Sequence, residues 1–313
     1  MNQNNDSRHA GGNPAGAMAG GSAAVVPELI SLQVQRSGNA CALRCGAQEL
    51  SYEEFDARAG ALAAQLAARG VAGRAVALLL PRSIDLIVAM VAAQKAGAWF
   101  VPVEPAQPDA RIAFLLEDCN PAVVIGRASL PAFALAREAL RLSLDDEPAQ
   151  LAQPRPVPLA PDDAVYAIYT SGTTGQPKAA LNYQRGVVNL YTWTARELQL
   201  GAQTRSLVIV SLSFDLYHKA VFAPLLSGGC VVLYEPAVFD PAEIRALVAS
   251  ERIDFICATP SAFNALLENA GEAGMAQLAS LRVVALGGEV VSKPRLRPWL
   301  SHPACSARVI NTF

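Results

Sequence analysis

Residues Ala164-Val165-Tyr166-Ala167-Ile168-Tyr169-Thr170-Ser171-Gly172-Thr173-Thr174-Gly175-Gln176-Pro177-Lys178 run an apolar segment straight into a loop of glycines and hydroxyls. The first part predicts a strand over 164–170, with apolar residues continuous rather than alternating, as in strands buried on both faces. In α/β sheets, ligands bind beyond the carboxyl ends of such strands. The loop that follows is therefore where chemistry is expected.

The same alternation extends in both directions. Upstream, Ser51-Tyr52-Glu53-Glu54 has the form of a capping box, and Phe55, Ala59, Leu62 and Leu66 repeat at helical spacing until Gly70. Arg74–Leu80 reads as a buried strand, Ser83 starts a helix ending near Gly97, and Trp99–Val103 reads as a strand. A helix over Asp109–Asp118 and a strand over Ala122–Ile125 follow. Downstream, strands are predicted at 206–211, 229–234, 254–258, 281–286 and 306–310. Helices are predicted at 184–197, 215–226, 240–251, 260–270 and 292–300. Glu147–Pro161 holds five prolines in a polar stretch and reads as a linker. The expectation is an α/β chain of two stacked lobes with mostly parallel sheets. It comprises a disordered leader over 1–25, a first lobe over 26–150, a linker over 151–162, and a second lobe over 163–313.

Composition agrees. A chain of 313 residues, 52% hydrophobic and 17% charged, can bury a large core and is not a disordered polymer. With 25 basic and 27 acidic side chains it has no excess positive charge for nucleic acid. The six cysteines sit mostly among apolar residues, and Cys41 and Cys45 read as reduced structural thiols rather than zinc ligands. Residues 1–24 lack the apolar block of a signal peptide, and no apolar run spans a membrane. A cytoplasmic protein with neither nucleic acid nor membrane as partner is expected.

In the loop, two glycines let the backbone turn tightly and bring N–H groups toward a ligand. The hydroxyls of Thr170, Ser171, Thr173 and Thr174 can donate to phosphate oxygens, and Lys178 adds a positive charge. This is an anion cradle that fits a nucleoside triphosphate; a Ser/Thr/Gly surface turn is the plainer reading. It is not a G-x-x-x-x-G-K-[ST] loop, since Gln176 and Pro177 stand where that pattern needs other residues.

This segment resembles the phosphate-binding signature of adenylate-forming enzymes, with Ala179 and Gln184 where that family commonly has Gly and His. Leu50-Ser51-Tyr52-Glu53-Glu54-Phe55 and Lys95-Ala96-Gly97-Ala98-Trp99-Phe100-Val101-Pro102-Val103-Glu104-Pro105 resemble two further motifs of the family. The second matches its amino-acid-activating branch, the adenylation domains of nonribosomal peptide synthetases. Read from the residues alone, these two pieces are a capped helix, a strand and a turn. The resemblance covers essentially everything after the leader and implies the family's large N-terminal domain, truncated at its C-terminus.

The resemblance also implies roles for residues. Residues Thr170, Ser171, Gly172, Thr173, Thr174, Gly175 and Lys178 would bind the phosphates of ATP, with Thr170 and Lys178 serving the chemistry. In Ser213-Phe214-Asp215-Leu216, Asp215 would pair with the substrate's α-amino group; a helix-terminal Asp facing the dipole is the structural alternative. Leu216, Ala262, Leu286 and Thr312 would line the acyl pocket. Lys219, four residues after Asp215, either forms a local solvated pair or points into that pocket and favours a polar or acidic substrate. Gly287, Gly288 and Glu289 would lie against adenine, unless they are a plain strand-to-loop glycine pair.

Asn311 and Phe313 match the first and third places of a motif Asn-x-Tyr-Gly-Pro-Thr-Glu, with the Phe ring keeping a stacking face. The family's Mg²⁺-binding Glu, a ribose-binding Asp, and a Lys on a small mobile domain would all fall after Phe313. No metal ligand is therefore expected within the chain, and residues 1–313 are expected to be an incomplete, poorly active fragment. The implied function is ATP-dependent activation of an amino acid for transfer to the phosphopantetheine of a carrier protein. An acyl- or aryl-CoA ligase fragment and a non-catalytic nucleotide- or partner-binding module are the alternatives.

Overall fold

The computed structural model describes residues 24–127, 140–145, 157–171, 177–236 and 238–312. Most of the expected leader, part of the expected linker, loop residues Gly172, Thr173, Thr174, Gly175 and Gln176, and Phe313 lie outside the described residues.

The chain opens with α1 (Val26–Ser37), the hairpin β1 (Cys41–Cys45) and β2 (Gln48–Ser51), and α2 (Tyr52–Ala67). Ser51 Oγ accepts from Glu54 N at 3.2 Å and Glu54 Oε2 accepts from Ser51 N at 2.8 Å, completing the capping box that starts α2. Alternation follows through β3 (Ala75–Leu79), α3 (Ile84–Lys95), β4 (Trp99–Val103), α4 (Asp109–Cys119), β5 (Val123–Gly126) and β6 (Leu140–Ser143). A second hairpin, β7 (Ala164–Ser171) and β8 (Pro177–Tyr183), leads to α5 (Gln184–Glu197), β9 (Arg205–Val208), α6 (Asp215–Leu225) and β10 (Cys230–Leu233). The remainder is α7 (Pro241–Ser250), β11 (Phe255–Ala258), α8 (Pro260–Leu267), α9 (Gly271–Ala276), β12 (Val283–Leu286), α10 (Lys293–Leu300) and β13 (Arg308–Asn311).

Two sheets result, one in the order β6-β5-β3-β4-β7-β8 and one in the order β13-β12-β11-β9-β10-β1-β2. Pairing is parallel except within the hairpins β1–β2 and β7–β8. Sheet membership does not follow chain order across the expected linker. The early strand β1 pairs with β10, Leu43 opposite Val231, and the later strand β7 pairs with β4, Phe100 opposite Tyr166. Each sheet thus closes with a hairpin drawn from the other part of the chain.

The main core lies between the sheets and takes side chains from both, together with α2, α3, α5 and α6. Along β3, Val76 and Leu78 enter this core, whereas Ala77 and Leu79 enter a smaller one with Ile112 and Leu115 of α4. Burial on both faces is why β3 has a continuous apolar run. From Leu216 to Leu225, α6 is buried throughout. His218 is fully buried among aromatic rings, stacked on Tyr166 at 4.0 Å between centroids, with Phe100 and Tyr217 each at 5.7 Å. All six cysteines are free thiols; Cys41 Sγ lies 2.9 Å from Cys230 Sγ on the neighbouring strand. Among the described residues, no helix is long and apolar enough to cross a membrane.

Burial pulls the pKa of His218 down from 6.5 to about 3. As pH falls below 6.5, the unfolded chain takes up a proton that the folded chain refuses. Stability is therefore lost on acidification through this window and is flat with respect to this residue above it. Between pH 7 and pH 5 the wild-type protein should lose about 2 kcal/mol more stability than His218→Phe, which keeps the ring stack without the titrating group. Urea denaturation at both pH values measures this, and equal losses would contradict it.

Candidate functional site

Antiparallel pairing of β7 with β8 sets Thr170 opposite Lys178 and Ser171 opposite Pro177. Pairing thus continues to the last described residue on each side of the expected phosphate loop. Thr170 and Lys178 are both exposed. The strand β8 itself carries no sequence signal, because it lies at the sheet edge with nearly every position open to solvent.

The remaining candidate residues sit beyond the carboxyl ends of β9, β11, β12 and β13, which are contiguous in the other sheet. Asp215 is the first residue of α6 and is exposed; its Oδ1 accepts from Leu216 N at 2.8 Å. The N-cap residue Phe214 supplies no side-chain cap, so the Asp215 carboxylate itself takes one N–H of the helix start and sits at the positive end of the dipole. The structural and functional readings of Asp215 therefore coexist. Its charge also reaches inward, adding to the burial that raises Tyr166 to about 12.

Lys219 stands one turn further along α6 and is only 7% exposed. It is not a solvated surface residue. Its Nζ donates to Thr312 Oγ1 at 2.9 Å, and that hydroxyl in turn donates to the Leu286 carbonyl at 3.2 Å. Beside it, burial raises the Cys257 thiol to about 11, an effect the Lys219 charge opposes. Sequence reasoning had not placed Cys257 at this site; its apolar neighbours marked it only as buried.

Gly287 completes the same cluster. A Cβ built there would lie 2.9 Å from Thr312 Oγ1 and 3.4 Å from Leu216 Cδ2, so only glycine fits without displacement. Gly288 adopts φ +86°, a left-handed backbone that favours glycine, with Leu216 3.5 Å from its absent Cβ. Leu216, Lys219, Leu286, Gly287, Gly288 and Thr312 therefore meet at one place, around the mouth of α6.

Ala262 is half-buried in the first turn of α8, where the Thr259 hydroxyl accepts from its N–H at 3.3 Å. Glu289 accepts from Ser261 N at 2.9 Å and Ser261 Oγ at 2.8 Å, tying the glycine segment to the start of α8. Asn311 is exposed opposite Leu286. An open cavity of about 1220 Å³ runs beside these residues, lined by Gly288, Glu289, Val291, Leu296, Val309 and Asn311. Chemically, the cluster presents an exposed anion at a helix start and a nearly buried cation one turn inside. It adjoins an apolar-walled cavity roomy enough for a flat base.

Known proteins resemble this chain in sequence and in fold. The chain is 37% identical over 270 residues to tyrocidine synthase 3 of Brevibacillus parabrevis, covering 84% of this chain and 4% of that protein. It is 34% identical over 302 residues to syringomycin synthase SyrB1 of Pseudomonas syringae pv. syringae, covering 93% of this chain and 48% of that protein. Among solved structures, the AMPPNP-bound nonribosomal peptide synthetase FmoA3 superposes with a TM-score of 0.83 at 27% identity, over 92% of this chain and 31% of that one. The N-terminal subdomain of Klebsiella oxytoca NpsA in complex with 3-hydroxybenzoyl-AMSN does so with a TM-score of 0.82 at 25% identity, over 92% and 71%. The model of the AMP-binding enzymes matches residues 30–313. The chain belongs to the AMP-binding enzyme family, with the adenylation regions of nonribosomal peptide synthetases among its relatives.

Proposed function

We propose that the chain activates an amino acid as its aminoacyl adenylate, for transfer to the phosphopantetheine thiol of a carrier protein. The observation that carries this reading is Asp215, an exposed carboxylate at the mouth of a rigidly buried helix, with Lys219 recessed behind it. A substrate with both an ammonium and a carboxylate needs the first of these; a simple fatty or aromatic acid does not.

On this reading ATP is the co-substrate. Thr170, Ser171, Gly172, Thr173, Thr174, Gly175 and Lys178 hold its β- and γ-phosphates, and Gly287, Gly288, Glu289, Asn311 and Phe313 receive its adenine. The substrate carboxylate attacks the α-phosphorus and pyrophosphate departs. The work is positioning and charge stabilisation, supplied by N–H and hydroxyl donors and by Lys178. Asp215 anchors the ammonium, and Leu216, Ala262, Leu286 and Thr312 line the side-chain pocket. Among the described residues, no three His, Cys, Asp or Glu side chains are grouped to hold a metal. Mg²⁺ enters this reading as the counter-ion that ATP carries, and no protein-held ion is assigned a step.

Lys219 sets the preference for a polar or acidic side chain. A nearly buried ammonium whose hydrogen bond runs to the neutral Thr312 hydroxyl is costly, and a substrate carboxylate would offset that cost. Support for an amino-acid substrate also comes from a relative: FmoA3 has been solved with α-methyl-L-serine-AMP.

Calorimetry with non-hydrolysable aminoacyl-sulfamoyl adenosines tests both points. Asp215→Ala should weaken the aspartyl mimic by about tenfold or more, the loss of one hydrogen-bonded charge pair. Unchanged affinity would remove Asp215 from substrate binding. Lys219→Met should weaken the aspartyl mimic by about tenfold and leave the leucyl mimic unaffected. A wild-type protein that binds the leucyl mimic as tightly as the aspartyl one would refute the acidic preference.

A further inference from the structure

The segment leading into Asp215 is held from the other sheet. Beyond the carboxyl end of β4, the chain turns over 104–107, with Gln107 N donating to the Glu104 carbonyl at 3.1 Å. Both side chains of this turn reach the loop between β9 and α6. Ser211 Oγ donates to Glu104 Oε2 at 3.0 Å, and the same Oγ accepts from Ser213 N at 3.3 Å. Gln107 Nε2 donates to Ser213 Oγ at 3.2 Å. From the end of β3, Arg82 adds a longer contact of 3.5 Å to the Val210 carbonyl.

The loop is also held locally: Val210 and Leu212 are buried in the main core, and Phe214 N donates to the Ser211 carbonyl at 3.2 Å. On either side of Leu212, Ser211 and Ser213 are half-buried and polar, and Phe214, the N-cap residue, is 53% exposed, so the stretch immediately before Asp215 is not anchored by apolar burial. The strand β4 that carries the turn is the neighbour of β7, which leads to Thr170. One end of this contact therefore belongs to the sheet that carries Thr170, and the other lies two and four residues before Asp215.

We propose that Glu104 and Gln107 are positioning residues that set the Asp215 carboxylate relative to the β4–β7 sheet carrying Thr170, and so determine how strongly the protein discriminates an amino acid from the same acid without its amine. The inference rests on the reading of Asp215 above and extends it to a turn with no direct contact to substrate. Hydrogen bonds from a charged acceptor and from a half-buried amide hold a short polar loop tightly. Without them Ser211 and Ser213 lose their side-chain partners from the other sheet while Leu212 and the apolar body of α6 stay buried, so the loss falls on ammonium recognition rather than on folding.

The test compares aspartyl-sulfamoyl adenosine with succinyl-sulfamoyl adenosine, which lacks only the amine, by calorimetry on the full 313-residue chain. In the wild type the amine-bearing mimic should bind more tightly. Glu104→Ala and Gln107→Ala should each weaken it by about fivefold, leave the succinyl mimic within about twofold, and keep the wild-type melting temperature. Glu104→Gln, which retains an acceptor for Ser211, should restore most of the discrimination. Equal losses on both mimics, or no loss on either, would overturn the positioning role while leaving Asp215 intact. A wild type that binds both mimics equally, or neither, would instead overturn the reading of Asp215, and the inference with it.

Discussion

Burial of α6 on nearly every side is the constraint from which the rest of this structure follows. From Leu216 to Leu225 the helix lies in the core between the two sheets, and Ser206 Oγ of β9 donates to its Ala220 carbonyl at 3.1 Å. Such a helix cannot tilt or slide without disturbing both sheets, since interiors are packed as densely as crystals. Only its first residue, Asp215, is exposed. A charge placed there has a fixed position and the favourable end of the helix dipole, which suits a carboxylate. The same burial explains the polar residues that follow. His218 is tolerated because it stays neutral within an aromatic stack, and Lys219 because its ammonium reaches the Thr312 hydroxyl.

Continuous apolar strands and capped amphipathic helices were legible in the sequence, because burial on two faces leaves a run that needs no context. The strand over 164–170, the helix over 184–197 and the capping box at Ser51 all appear where their residues place them. Edge elements were not legible. Pro177–Tyr183 has mostly exposed side chains, and Gln48–Ser51 buries only Leu50, so neither gives a periodic signal. Sheet order was equally hidden, since nothing local in Cys41–Cys45 states that its partner is Cys230–Leu233.

At the site, residue types and strand ends pointed to the right places, while contacts did not show. The meeting of Lys219, Thr312, Gly287 and Leu216 joins residues almost a hundred positions apart. It depends on β12 and β13 lying beside each other and on β11 bringing them against α6. The turn over 104–107 read as structure alone, because Glu104 and Gln107 carry no pattern of their own. Their meaning comes from facing Ser211 and Ser213 across two sheets.

The exchange of hairpins between the sheets bears on how the chain emerges from a ribosome. When residues 41–51 have been made, the strand that will flank them lies nearly two hundred residues in the future, at Cys230–Leu233. Until then the inner edge of β1 has no parallel neighbour, and unpaired edges invite association with other chains. Synthesis of the first half cannot by itself yield a finished unit. The β3–β4–β5 portion can assemble early, but the sheet that holds the Asp215 side of the site must wait for β1 and for the strands β9 to β13 alike. Pairings this distant in sequence form slowly. The protein is thus committed to a late, concerted closure in which the sheet of the substrate side and the attachment of its N-terminal hairpin are completed together.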